Sequence, residues 1–127
     1  MVDLLADSLN KIKGYERIGK AKCTLKDTKL VKSVIDTLKA YDYIVSAEER
    51  KSGKFNVLDV VLARKINDIG AIKPRHAVRL EDYQKYEARY IPSKNFGILI
   101  VSTPKGVMSN RQAKEQKLGG RLLAFVY

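Results

Sequence analysis

Cysteine and histidine are almost missing from this chain, with one of each, Cys23 and His76, in 127 residues. A single thiol cannot close an internal disulfide. One thiol and one imidazole so far apart do not make a metal site without carboxylate help. That usage points to a reducing, cytoplasmic setting. Cys23 reads as a small buried apolar residue in a strand, and His76, which follows Pro74 and Arg75, as a satisfied or exposed side chain and not a catalyst. Long apolar runs are missing too: no stretch approaches the roughly 20 residues a membrane helix needs. No basic amphipathic helix with an exposed apolar face stands out. The opening MVDLLADSLNKIK is acidic before it is basic and has no apolar centre, which argues against a secretory signal. The chain has no G-x-x-x-x-G-K-[ST], G-x-G-x-x-G, G-x-S-x-G or H-E-x-x-H motif. A Ser-His-Asp site would have to recruit the single histidine with nothing local to orient it. No enzyme, cofactor or metal is expected.

Acidic residues are the last scarcity. Asp and Glu number 14 against 25 Lys and Arg, giving a net charge of +11 and an isoelectric point near 9.8. The chain tolerates that self-repulsion, so a polyanionic partner is the economical reading. At 45% hydrophobic and 31% charged residues, it folds as a soluble protein of one domain or two small lobes. Residues 1–70 hold 14 basic and 10 acidic side chains, a net of +4, whereas residues 71–127 hold 11 and 4, a net of +7. The second part is the stronger candidate for an anionic contact.

Periodicity divides the chain the same way. Val2, Leu5, Leu9 and Ile12 recur at helical spacing, with Asp3 placed to cap the helix and Gly14 to stop it. KAKCTL alternates as a short strand. Asp27 or Thr28 then caps a second helix with an apolar stripe of Leu30, Val34, Ile35, Leu38 and Tyr41. YIVSAEE and FNVLDVVLA read as strands turning at Lys51-Ser52-Gly53-Lys54. The first lobe, residues 1–70, is therefore α-β-α-β-β. Asp68, Gly70 and Lys73-Pro74 mark its end by turn chemistry.

The second lobe, residues 71–127, is expected to be mostly antiparallel β with a short helix, so the fold class is α+β. A strand near 77–80 precedes a turn of helix over 83–86. Arg79, Tyr83, Lys85, Tyr86, Arg89 and Tyr90 interleave rings with cations, a pattern that could stack bases and neutralise phosphates. Core packing with a wet hydroxyl is the commoner use of such tyrosines. FGILIVST is apolar on both faces and reads as a central strand. Ser109 and Gln112 form a capping box for a helix running to about Lys117, which Gly119-Gly120 ends before RLLAFVY returns as a strand. Between the central strand and that helix lies VSTPKGVMSN. Ser102, Thr103, Lys105 and Gly106 gather hydroxyls, a cation and backbone amides where a helix begins, the groups that grip phosphates and 2′-hydroxyls.

The run GILIVST-x-KGVMS, followed by GGRLLAFVY, resembles the C-terminal signature of the small-subunit ribosomal protein eight family. DLLADSLNKIKG resembles its opening, with Leu4 where proline is usual, and TKLVKSVIDTLKAYDYI its second helix. GAIKPR and RYIPSKNFGILIVST look like the archaeal and eukaryotic branch. The resemblance covers the whole chain in order. It implies two packed α+β lobes and a primary binder of small-subunit ribosomal RNA, in its central domain, that acts early in assembly as a monomer among neighbouring ribosomal proteins. By position, Ser102, Thr103, Lys105 and Gly106 inherit the loop that enters the RNA minor groove. Gly120 would let the backbone approach, and Thr28, Lys29 and Lys32 would contact phosphates. Pro104 replaces the second hydroxyl of many members, and Arg121 matches the archaeal and eukaryotic branch where bacterial members carry glutamate. Two rival readings are a basic protein-interaction or assembly module, and a phosphate-ligand enzyme using the 102–109 loop. Neither explains a likeness that runs from Asp3 to Tyr127.

Overall fold

The computed structural model describes residues 4–93 and 96–127; the expected contributions of Val2 and Asp3 lie outside the described residues. The fold is α+β, with antiparallel sheets throughout. The chain divides into two compact units, the first ending at Ile66 and the second spanning Asn67–Tyr127.

The first unit runs α1 (Leu4–Ile18), β1 (Lys22–Lys26), α2 (Lys29–Ala40), β2 (Ile44–Ser52) and β3 (Phe55–Leu62). Its strands pair in the order β1-β3-β2. Alternation sends Cys23, Leu25, Leu58, Val60 and Leu62 to one buried face, against Leu5, Leu9 and Ile12 of α1 and Val31, Val34, Ile35 and Leu38 of α2. Thr28 caps α2, accepting from the Val31 amide at 3.2 Å. Leu30 and Tyr41, placed on the apolar stripe by periodicity, are only half-buried, and Val31 takes the place expected for Leu30.

Gly14 does not end α1. It sits inside the helix, which continues to Ile18. The stop is Gly19 at φ +80°, followed by a Lys20 amide that donates to the Tyr15 carbonyl at 3.0 Å. That is the six-to-one closure of a left-handed helix end, and the residue in the left-handed region sets the boundary.

The second unit comprises β4 (Ile69–Ala71), β5 (Ala77–Val78), a 3-10 turn (Leu80–Asp82), α3 (Tyr83–Tyr90), β6 (Ile98–Thr103), β7 (Gly106–Ser109), α4 (Asn110–Glu115) and β8 (Gly120–Val126). The sheet order is β4-β8-β6-β7, with β5 also on β8. Gly70, expected as turn chemistry, lies in β4 opposite Phe125, and a Cβ there would stand 3.1 Å from that ring. The expected strand over 77–80 is shorter, and α3 runs a full turn past Tyr86.

One core of the unit gathers Val78, Tyr83, Leu99, Val101, Met108, Ala113 and Leu122. Beside it lies a buried polar network. The Asn110 side chain accepts from the Leu99 amide at 3.1 Å and donates to the Glu87 carboxylate. Lys114 Nζ reaches the same carboxylate at 2.6 Å. A buried carboxylate needs such partners, and these tie α3, α4 and β6 together.

The last helix ends earlier than expected, at Glu115. Lys117 takes the left-handed position at φ 56°. The Leu118 amide donates to the Ala113 carbonyl at 2.8 Å and the Lys117 amide to the Lys114 carbonyl at 3.2 Å, a complete Schellman closure without glycine. Gly119 and Gly120 serve packing instead. A Cβ on Gly119 would meet the Val78 carbonyl oxygen at 2.6 Å, and one on Gly120 the Ser102 carbonyl oxygen at 2.1 Å.

Candidate nucleic-acid interface

The loop read as a passage from strand to helix is the tip of a β-hairpin. Thr103 pairs with Gly106, which leaves Pro104-Lys105 as a two-residue turn. Proline suits a turn and donates nothing to a ladder. Gly106 has φ +120°, where a side chain would be strained, although no atom crowds its Cβ position. The Thr103 hydroxyl donates to the Gly106 carbonyl at 2.7 Å and accepts from the Lys105 amide at 3.2 Å. The residue is only 8% exposed. Thr103 therefore faces the core and shapes the turn, with its hydroxyl proton committed inside the hairpin. Pro104, Lys105 and Gly106 are exposed and Ser102 is half-buried.

The helix N-terminus does not join this group. All of β7 separates it from the tip, Ser109 is fully buried, and the capping box satisfies the Ser109 and Gln112 amides at 3.2 Å each. The helix start and the turn tip are thus separate places on the unit. What the tertiary structure supplies instead is a row across the sheet: Val107 opposite Ser102, Ser102 opposite Arg121, and Arg121 opposite Ala77. Paired residues share a face. On the reverse face Val101, Met108, Leu122 and Val78 enter the core, while Arg121 and Ala77 are exposed and Ser102 and Val107 half-buried.

Arg121 reaches that row because β8 carries a bulge. Ile100 pairs with Ala124 but Val101 with Leu122, so Leu123 is the extra residue. Without it, Leu122 would stand opposite Ser102. Adjacent Leu122 and Leu123, both buried, break the alternation of RLLAFVY, and that doublet was the sequence signal for the bulge. Ala77 and Val107 carried no such signal; strand pairing alone selects them. Gly120 holds the arrangement from below, its missing side chain admitting the Ser102 backbone. The second unit, residues 67–127, holds 11 basic and 5 acidic side chains, a net of +6.

The candidates of the first unit cluster at the start of α2. Thr28 is half-buried and already caps the helix, whereas Lys29 and Lys32 are exposed. Lys32 is ion-paired with Glu49 of β2, and its ammonium is held above the usual lysine range, first by that hydrogen bond and then by the same carboxylate's charge. Exposed pairs of this kind contribute little to stability.

The tyrosines divide. Tyr83 is fully buried and donates to the Leu118 carbonyl at 2.8 Å; burial, and then Glu87, pushes its hydroxyl above the ordinary phenol range. Tyr86 stacks on His76 at 5.5 Å and Tyr90 on Phe125 at 5.8 Å, with Lys85 and Arg89 each 5.6 Å over those two tyrosine rings. All three pack against the unit's core. Cys23 is buried, and burial raises its thiol, outweighing the opposite pull of Lys11. Among the described residues no three His, Cys, Asp or Glu side chains are placed to hold a metal ion. Among the same residues, no helix is long and apolar enough to cross a membrane.

Comparison with known proteins gives concordant matches. The family model described as ribosomal protein S8 matches residues 3–127. The small ribosomal subunit protein uS8 of Archaeoglobus fulgidus is 46% identical over 130 residues, covering 99% of this chain and 98% of that protein. Its counterpart of the same name from Methanococcoides burtonii is 43% identical over 128 residues, covering 100% and 98%.

Proposed function

This chain belongs to the ribosomal protein S8 family, and on that footing we infer that it is a structural constituent of the small ribosomal subunit that binds the subunit's RNA. It works in the cytoplasm as part of the ribosome, and its family is not one of enzymes. The chain acts by binding alone, with no catalytic step.

The observation that supports the binding surface is the open row Val107, Ser102, Arg121 and Ala77, beside the exposed tip Pro104-Lys105-Gly106. A-form RNA hides its major groove and displays 2′-hydroxyls and phosphates across a wide, shallow minor groove. An open sheet face ending in a narrow turn fits that surface. Ser102 offers a hydroxyl to a sugar or a base edge. Lys105 and Arg121 offer charge to phosphates, and Gly106 lets the backbone come close. Pro104 holds the tip rigid, and Thr103 and Gly120 position the group without touching RNA. The second unit carries this main loop; Lys29 and Lys32, with Thr28 setting their helix start, add phosphate contacts from the first. The RNA is the central domain of the small-subunit RNA, bound early in assembly by the monomer, with neighbouring ribosomal proteins joining later.

Equilibrium binding to a central-domain RNA fragment across a salt series tests this. Lys105→Ala should weaken binding and reduce the salt slope by about 1. Ser102→Ala should lower affinity at every salt concentration and leave the slope unchanged. Unchanged affinity in both variants would remove the turn from the interface. Binding to acidic protein but not to RNA would favour the assembly-module reading.

A further inference from the structure

The first unit presents a second surface, at the tip of the β2–β3 hairpin. Every residue from 48 to 56 is exposed. Phe55 opens β3 there with 70% of its surface in solvent, more than any other large apolar side chain among the described residues. One exposed ring by itself is unremarked in a soluble protein; its surroundings decide what it does.

Phe55 shares a face with Val57, two residues along, and Val57 stands opposite both Lys26 and Arg50. Lys54 is in the turn and Lys51 is opposite Asn56. The Asp27 amide donates to the Asn56 carbonyl at 3.0 Å, which brings Thr28 and Lys29 to the base of the hairpin. Two acids of this region are already satisfied, Glu49 by Lys32 and Asp59 by Arg50 at 2.7 Å. Among the described residues no ion pair holds Lys26, Lys29, Lys51 or Lys54, and the remaining acids nearby are Asp27 and Glu48. Lys26 and Arg50 lie on the ring's face of the sheet, Lys51 on the other face with Asn56, and Lys54 in the turn between them. A ring at such a cationic tip does not suit a protein partner's apolar pocket, which calls for apolar neighbours. It suits an unstacked base, which lays its face on the ring while its phosphates meet the cations.

We propose that the β2–β3 hairpin tip is a second RNA-docking element. Phe55 stacks on an unpaired base of the small-subunit RNA, and Lys26, Lys29, Lys51 and Lys54 neutralise the flanking phosphates. This rests on the reading of the chain as a binder of that RNA, and adds a stacking contact that the Ser102–Gly106 turn has no ring to supply.

The test compares Phe55→Ala, Phe55→Leu and Phe55→Tyr in the full chain, bound to small-subunit RNA, with thermal melting of each variant as a control. Phe55→Ala and Phe55→Leu should each weaken binding roughly ten-fold while melting as the parent does, and Phe55→Tyr should bind as the parent. The double variant Lys51→Ala, Lys54→Ala should lower the salt slope by about 2. Parental RNA affinity in Phe55→Ala overturns the proposal, as does a defect that appears only when other ribosomal proteins are added, which would mark a protein contact. Lys105→Ala, measured in parallel, separates the two readings. If it loses affinity while Phe55→Ala does not, the hairpin fails and the main interface stands; if the parent chain binds no RNA, both fail.

Discussion

Substituting Gly120 probes the packing on which the Ser102 row depends. A Cβ at that position would lie 2.1 Å from the Ser102 carbonyl oxygen, 2.9 Å from its carbon and 3.0 Å from a Val101 methyl. Ordinary contact requires more than 3 Å, so Gly120→Ala must push β6 and β8 apart by about 1 Å, a close approach of the kind glycine permits. Both obstructing atoms of Ser102 are backbone and cannot rotate away. Overpacking of this kind costs about 1–3 kcal/mol. Loosening the Ser102–Arg121 pairing forfeits one or two ladder hydrogen bonds at about 1 kcal/mol each. The expected loss is about 3 kcal/mol, read as a lowered urea midpoint with unchanged slope. RNA affinity should fall with it, because Ser102 and Arg121 no longer share a row. The contrast is Gly14→Ala. Gly14 lies in the interior of α1 with nothing within 4 Å of its Cβ position, so alanine there should stabilise the protein by about 1 kcal/mol. If Gly120→Ala unfolded within 1 kcal/mol of the parent, the close approach of β8 to β6 would not be what fixes this site.

Other perturbations separate support from contact. Asn110→Ala leaves the Leu99 amide without its acceptor and removes a donor from buried Glu87; it should destabilise by roughly 3–5 kcal/mol in urea unfolding. Thr103→Ala removes both hydrogen bonds across the turn and should lower stability by about 1–2 kcal/mol. Ser102→Ala, at a half-buried position on the open face, should leave unfolding unchanged and affect RNA affinity only. Asp59 is held below the usual carboxylate range, first by its hydrogen bond from Arg50. A lowered native pKa stabilises above the unfolded value, and that contribution disappears as pH falls through the native value. The stability difference between the parent and Asp59→Asn should therefore be present near neutral pH and shrink below about pH 4.

Much of this was legible in the residues. The α-β-α-β-β order, the Thr28 cap, the capping box at Ser109 and Gln112 and the apolar β6 follow from period and cap chemistry, which are local. Several of the errors share one cause. Gly14, Gly70, Gly119 and Gly120 were read as stops and turns, with Gly120 also read as a point of backbone approach, because sequence-based rules treat glycine as a conformational residue. In the fold, Gly14 rides in a helix, and the other three make room for the Phe125 ring, the Val78 carbonyl and the Ser102 carbonyl. Lys117, a residue with no such reputation, takes the left-handed position instead.

By itself, then, the sequence determined the fold class, the basic character and the family, because composition, periodicity and a run of matching residues need no knowledge of what lies across the chain. It also named the segment 102–106. Tertiary structure decided which of those side chains meet solvent. A two-residue turn sends Thr103 inward, and a bulge at Leu123 moves Arg121 beside Ser102. Pairing then adds Ala77 from a strand more than forty positions from Arg121. These outcomes depend on register between strands, and register is set by packing between residues that are strangers in sequence.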